Sequence, residues 1–119
     1  YVEAQIDFKA DGKFEIKKLP IEAQFSPIQD FEFLDIDKDG VNEILSVGNI
    51  YNTEVETSRL DASYGCVLKY GEDKFSIINS KLSGLSSKGD ARDICVIKKG
   101  NNLLLLVARN NEALNIFEL

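Results

Sequence analysis

Short runs rich in Phe, Ile, Leu and Val, some loosely alternating with polar residues, recur along this chain between turn residues, and no segment sustains the 3.6-residue period of an amphipathic helix. With its turn residues, the pattern predicts about nine short strands and no helix. Val2 to Phe8 alternates loosely, turns at Asp11-Gly12 and resumes as Phe14 to Leu19, a first hairpin. Pro20 and Pro27 bracket Ile21 to Ser26, which reads as an extended connector because proline has no N–H for a ladder. Ile28 to Leu34 and Ile44 to Tyr51 form a second pair around an acidic tip. After a polar loop, Asn52 to Ser58, come Tyr64 to Tyr70, a turn at Gly71-Glu72-Asp73, and the return strand Phe75 to Ile78. A connector rich in Ser and Gly, Ser80 to Gly89, leads to Ile94 to Ile97, Leu103 to Ala108 and Leu114 to Leu119, with turns at Lys99-Gly100-Asn101 and Asn110-Asn111. The predicted class is all-β.

The pattern also repeats. Lys13-Phe14-Glu15-Ile16 returns as Lys74-Phe75-Ser76-Ile77, Leu19 as Leu82, Asp30-Phe31 as Asp93-Ile94, and Asn42 to Val47 as Asn102 to Val107. The offset stays near sixty, a period that marks propellers, solenoids or arrays. The expectation is one domain or fragment of two repeat units, residues 1–60 and 61–119.

The acidic tip of the first unit is Asp35-Ile36-Asp37-Lys38-Asp39-Gly40-Val41-Asn42-Glu43. Alternating carboxylates followed by a glycine gather hard oxygens on one side of a tight turn, the chemistry that suits Ca2+. Asp35, Asp37 and Asp39 are expected to supply side-chain oxygens, Val41 its carbonyl, and Glu43 the closing carboxylate. An EF-hand would need its closing Glu at the twelfth loop position, where this chain has Ser46, and helices on both sides. In the second unit the matching turn, Lys98-Lys99-Gly100-Asn101, carries no carboxylate, so its loop has no ligands.

Composition narrows the function. At 119 residues the chain is at most one modest domain, and its apolar content of 44% argues against disorder. A net charge of -6 opposes binding to phosphate backbones, which excludes nucleic acid as the expected partner. The longest apolar run, Leu103 to Ala108, falls far short of a membrane span and reads as a buried strand. Tyr1 is preceded by neither a methionine nor a charged-then-apolar leader, which reads as the cut end of a longer protein. Histidine is absent, which removes Ser-His-Asp and Cys-His nucleophiles and the usual catalytic zinc ligands. Two carboxylates working as acid and base stay open, but with 20 acids in the chain no pair stands out, and no enzyme activity is expected of the chain itself, the parent being left open. Cys66 and Cys95 lie within apolar strands of different units and read as small buried hydrophobes, unpaired.

The loop Asp35 to Glu43 resembles the calcium loops of FG-GAP and VCBS-type repeats, the blades of β-propellers in integrin α subunits and many secreted bacterial proteins. Leu19 to Pro27, Gly48-Asn49, Asp61-Ala62-Ser63-Tyr64-Gly65, Arg92-Asp93-Ile94 and Val107 to Asn111 are similar to the C-terminal blades of large VCBS-repeat proteins that carry ASPIC/UnbV-type modules. Glu43 stands where the family commonly has the shorter Asp, and of the literal FG and GAP words only Tyr64-Gly65 is left.

The resemblance implies a partial β-propeller of about two four-stranded antiparallel units, grouped as the outer hairpin of one blade, a complete blade, and three strands of another. It implies Ca2+ held by Asp35, Asp37, Asp39, the Val41 carbonyl and Glu43 between the first two strands of a blade. The expected role is scaffolding or binding of a protein or glycan ligand, within a larger secreted, cell-surface or periplasmic protein. The expected neighbours are the parent's other blades or another copy of the chain. A rival reading is an accessory part of a carbohydrate-active enzyme, which Arg59, Asp61, Tyr64, Arg92 and Arg109 converging on one concave surface would favour.

Overall fold

The structure is a computed structural model that describes residues 5–10, 12–24, 27–48, 65–78 and 80–119. Among them are nine strands in three antiparallel sheets, each a simple meander in chain order. β1 (Gln5–Ala10) pairs with β2 (Lys13–Lys18). β3 (Ile28–Leu34), β4 (Glu43–Gly48), β5 (Cys66–Gly71) and β6 (Lys74–Ile78) make a four-stranded sheet. β7 (Ala91–Lys99), β8 (Asn102–Arg109) and β9 (Asn115–Glu118) make the third. The all-β class expected from the alternation holds, and the sheets do not close into a barrel. The boundary between residues 1–60 and 61–119 falls inside the four-stranded sheet, between β4 and β5.

Two connectors differ from expectation. Ile21 to Gln24, read as extended, is a single 3-10 turn in which the Ala23 N–H donates to the Pro20 carbonyl at 3.0 Å and the Gln24 side-chain amide donates to the Leu19 carbonyl at 2.9 Å. Proline at the head of that turn has no N–H to lose and a φ already suited to it. Ser80 to Ser83 is one helical turn, closed by the Gly84 N–H on the Ser80 carbonyl at 2.8 Å. Four residues are too few to display a helical period, so alternation could not reveal either turn. The expected loop Asn52 to Ser58 lies outside the described residues.

Alternation along the strands gives the four-stranded sheet two different apolar faces. On one, Leu68 and Phe75, with Ile44, Cys66 and Ile77 beside them, pack on Leu19 and Ala23 of the preceding connector. On the other, Leu45, Val47 and Val67 pack on Ile94, Leu105 and Val107 of the third sheet, with Leu85 and Ala91 completing the core. Each of those eight side chains is buried. The expected burial of Leu103 to Ala108 is thus fulfilled by Leu105 and Val107, which face inward on alternate positions.

A carboxylate joins the two sheets at their first strands. Asp30 of β3 accepts a hydrogen bond from the backbone N–H of Ile94 in β7 at 3.0 Å. Asp30 follows a register irregularity at Ile28/Asp30, and Asp93 follows the corresponding one at Ala91/Asp93. The Ile94 N–H and then the Asp93 side chain hold the Asp30 carboxyl below its ordinary range, while the neighbouring Asp30 carboxylate pushes Asp93 up. Of the two carboxyls, Asp30 is the one whose ionised form the contact favours, and Asp93 the one it disfavours. Farther out, Lys17 of β2 bridges Glu15 and Asp73 at 2.8 Å each, and Tyr70 donates to the same Asp73 oxygen at 2.8 Å.

Neither cysteine forms a disulfide. Cys66 is half-buried with its sulfur 3.0 Å from the Ser46 hydroxyl, and burial pushes its thiol up. Cys95, expected to be buried, is exposed, because it alternates out of step with Ile94 and points to the far side of the third sheet.

Asp30→Ala is expected to cost about 1.5 to 3 kcal/mol, the range for a hydrogen bond to a charged group, measured by urea unfolding at pH 7. The contribution of Asp30 is present above the ordinary carboxylate range and lost as pH falls through its depressed pKa. That of Asp93 has the opposite sign, full below about pH 3.9 and lost as pH rises through its raised pKa, so Asp93→Asn should gain on the parent chain as pH rises. A stability difference independent of pH would contradict the opposite shifts of the two carboxyls.

Thiol titration in denaturant without reductant should count two free thiols. In the folded chain Cys95 should react first and Cys66 at least about tenfold more slowly, since the thiolate is the nucleophile and burial disfavours it. Equal native rates would contradict the placement of the two sulfurs.

Candidate metal centre

The acidic loop is the tip of the β3–β4 hairpin, which fixes both ends of the ligand sequence. Leu34 and Glu43 are the last cross-strand pair, so Asp35 to Asn42 form the turn and Glu43 begins β4. Lys38 and Gly40 take positive φ values of 60° and 89°, turning the chain twice within three residues. The second of these falls on the residue that has no Cβ to clash.

The backbone wraps around the aspartates. Asp35 accepts from the N–H groups of Asp39 at 3.0 Å and Gly40 at 2.9 Å. Asp37 accepts from Asp39 N–H at 3.3 Å, and Asp39 from Val41 N–H at 2.8 Å. These bonds fix both carboxylate oxygens of Asp35 and one each of Asp37 and Asp39 in the loop. Ligand oxygens of Asp35, Asp37 and Asp39 then lie within 4.8 Å of one another, so the structure brings the three predicted aspartates together.

Glu43 stands apart from that cluster in exposure. Its side chain is 0% exposed, the only fully buried carboxylate among the described residues. Oε2 accepts from the Ile36 N–H at 2.9 Å, which holds the loop's entry against its exit. Oε1 is buried and accepts no hydrogen bond. Val41, predicted to offer its carbonyl, is exposed at the outer edge of the turn and donates its N–H to Asp39.

One participant was not visible in the loop sequence. Lys69 of β5 reaches under the hairpin tip, where its ammonium contacts Asp37, lies 2.5 Å from Asp39 Oδ2, and stands 3.5 Å from Glu43 Oε1. The Asp37 and Asp39 carboxylates hold the Lys69 ammonium above its ordinary range, and Lys69, with the Val41 N–H, holds Asp39 below its own. β4 and β5 pair Ile44 with Leu68, so Lys69 falls beside Glu43 on the same face. That register spans a long connection whose length and path the residues around Lys69 do not encode.

The donor set is all hard oxygen, and its buried member has an oxygen without a hydrogen bond, 3.5 Å from the same Lys69 ammonium that contacts Asp37 and Asp39. Those are the properties a Ca2+ site requires. Magnesium is less suited, because it keeps its own waters and demands a stricter octahedron.

Of the other sequence candidates, the structure describes Arg92 and Arg109, and both make local contacts. Arg59, Asp61 and Tyr64 lie outside the described residues. Arg92 pairs with Asp90 at 2.6 Å. Arg109 staples a turn, donating to the carbonyls of Lys88 at 2.7 Å and Ala113 at 2.7 and 3.0 Å and pairing with Glu112. No family model matches the chain, and no curated protein or solved structure matches it. Among the described residues no helix is long and apolar enough to cross a membrane.

Proposed function

We propose that this chain is a calcium-stabilised β-propeller segment that serves as a scaffolding and protein- or glycan-binding module of a larger secreted, cell-surface or periplasmic protein. The observation that carries this reading is the hairpin tip, where three aspartates offer oxygens within 4.8 Å of one another and the buried Glu43 at the turn's exit has an oxygen without a hydrogen bond. Asp35, Asp37, Asp39, Glu43 and the Val41 carbonyl would hold the ion. Bound there, Ca2+ neutralises crowded carboxylates at one turn and fixes the ends of β3 and β4 relative to each other.

The sheet arrangement supports the propeller part of the reading. Two, four and three strands follow one another as meanders, the grouping expected of an outer hairpin, a whole blade and three strands of another. The four-stranded and third sheets meet face to face, and Asp30 links their first strands. Arg92 and Arg109 support scaffolding over the carbohydrate-active alternative, because both are used in local turns rather than turned together toward a ligand.

Apolar side chains also remain exposed on both sides of the stack. Phe14 is 73% exposed on β2, and Phe31 and Phe33 of β3, in edge-to-face contact at 5.6 Å, are 52% and 55% exposed. On the far side of the third sheet, Ile116 is 59% exposed beside Cys95 and Ile97. Faces of this kind are what neighbouring blades or a binding partner would cover.

Calcium should raise the melting temperature. With a dissociation constant of about 0.1 to 1 mM, a hundredfold excess adds roughly 2.7 kcal/mol. Differential scanning fluorimetry with CaCl2, EGTA and MgCl2 checks it. A melting temperature unmoved by calcium, or moved equally in an Asp37→Ala, Asp39→Ala double variant, would refute the site.

Light scattering should show the isolated chain self-associating, with a hydrophobic dye binding to it. A monodisperse monomer that unfolds cooperatively and binds no dye would show that the exposed faces need no cover, and would refute the propeller reading.

A further inference from the structure

The Lys69 ammonium stands where the loop's acidic oxygens converge. It approaches Asp37, Asp39 and Glu43 together, so one cation already bridges both sides of the hairpin tip. We propose that Lys69 is a built-in competitor for the Asp35–Glu43 calcium site: its ammonium holds the metal-free loop in shape, and Ca2+ binds by displacing it. This rests on the calcium reading above and adds what sets the affinity.

The chemistry of the two cations makes them alternatives. An ammonium has three N–H donors and can serve three oxygens, whereas Ca2+ takes six to eight. Lys69 accordingly reaches Asp37, Asp39 and Glu43 and leaves Asp35 to the backbone N–H groups of Asp39 and Gly40. It also leaves Glu43 Oε1 at 3.5 Å without a hydrogen bond, so the buried oxygen is only partly satisfied by the resident charge. A divalent ion offers that oxygen a direct bond. Two cations so close would repel strongly, so the seat holds one at a time.

The lysine also has somewhere to go. Its side chain is 29% exposed, and the four-methylene stem is long enough to carry the ammonium into water while β5 stays in place. Asp37 and Asp39, at 46% and 41% exposure, mark the open side through which the exchange runs. Without metal, Lys69 relieves the repulsion among the acids, so the loop keeps its shape rather than springing open. The consequence is a site whose apparent affinity is its intrinsic affinity reduced by the fraction of time the seat is free.

Two measurements test this on the whole chain. Calorimetric titration with CaCl2 should find Lys69→Met binding about tenfold or more tightly than the parent, the factor for a seat that the ammonium fills nine-tenths of the time. Acylation of lysines with an N-hydroxysuccinimide ester, read by mass spectrometry on the unaltered chain, should find Lys69 protected in EGTA and several-fold more reactive in saturating calcium, with Lys98 and Lys99 unchanged. The second measurement needs no variant, so it stands if Lys69→Met fails to fold. Calcium binding with equal affinity in both chains, or with Lys69 reactivity unmoved, would overturn the competition and leave the metal site standing. No calcium binding in either chain would overturn both.

Discussion

The contact between the four-stranded sheet and the third sheet is the constraint on which the rest of the fold depends. Leu45, Val47 and Val67 on one side and Ile94, Leu105 and Val107 on the other are all removed from water. Burying a side chain of that size contributes about 1.5 to 3 kcal/mol, and this layer buries more of them than the cluster on the sheet's other face. It fixes which way each strand faces. With Leu45 and Val47 turned toward the third sheet, Glu43 at the head of the same strand must turn that way too, two residues from Leu45. A buried carboxylate at the hairpin tip therefore follows from the packing of two aliphatic residues farther along.

That carboxylate in turn sets the electrostatics of the tip. Glu43 cannot be solvated, so its charge has to be met by the Ile36 N–H on one oxygen and by a cation near the other. The aspartates, Asp35 half-buried and Asp37 and Asp39 exposed, are less constrained, and each is held by N–H groups of the loop itself. The tip combines one oxygen fixed by the core with several fixed by the turn. A site built this way has a rigid floor and an adaptable rim.

Much of this was legible in the sequence, for reasons that differ by element. β3 was bounded at Ile28 and Leu34 because Pro27 and Asp35 end its apolar alternation, and the hairpin turns at Gly12, Glu72-Asp73, Gly100-Asn101 and Asn110-Asn111 announce themselves by residue type. The aspartate cluster was legible because its members are two residues apart on one turn. Lys69 was not, because its approach depends on which residue of β5 lies opposite Glu43. The self-comparison also carries a slip. Matching Asn42–Val47 to Asn102–Val107 sets Leu45 against Leu105, yet the two strand irregularities place Gly48 and Arg109 in equivalent positions, which sets Leu45 against Leu106. One residue reverses the face, and Leu45 and Leu105 in fact belong to opposing faces of the same core. Aliphatic identity cannot distinguish those registers; only a bulge, which leaves no mark in composition, does so.

The two faces of the four-stranded sheet carry different residues, and this gives the stack a direction. Phe14 and Ile16 stand open at one end, and Cys95, Ile97 and Ile116 at the other. When unlike ends meet, the contact is heterologous, and no twofold axis relates the partners. Each union leaves one end of each kind still open. Whether such a series stops is decided by the angle between successive sheets, since a rotation that divides the circle closes into a ring and any other winds into an open filament.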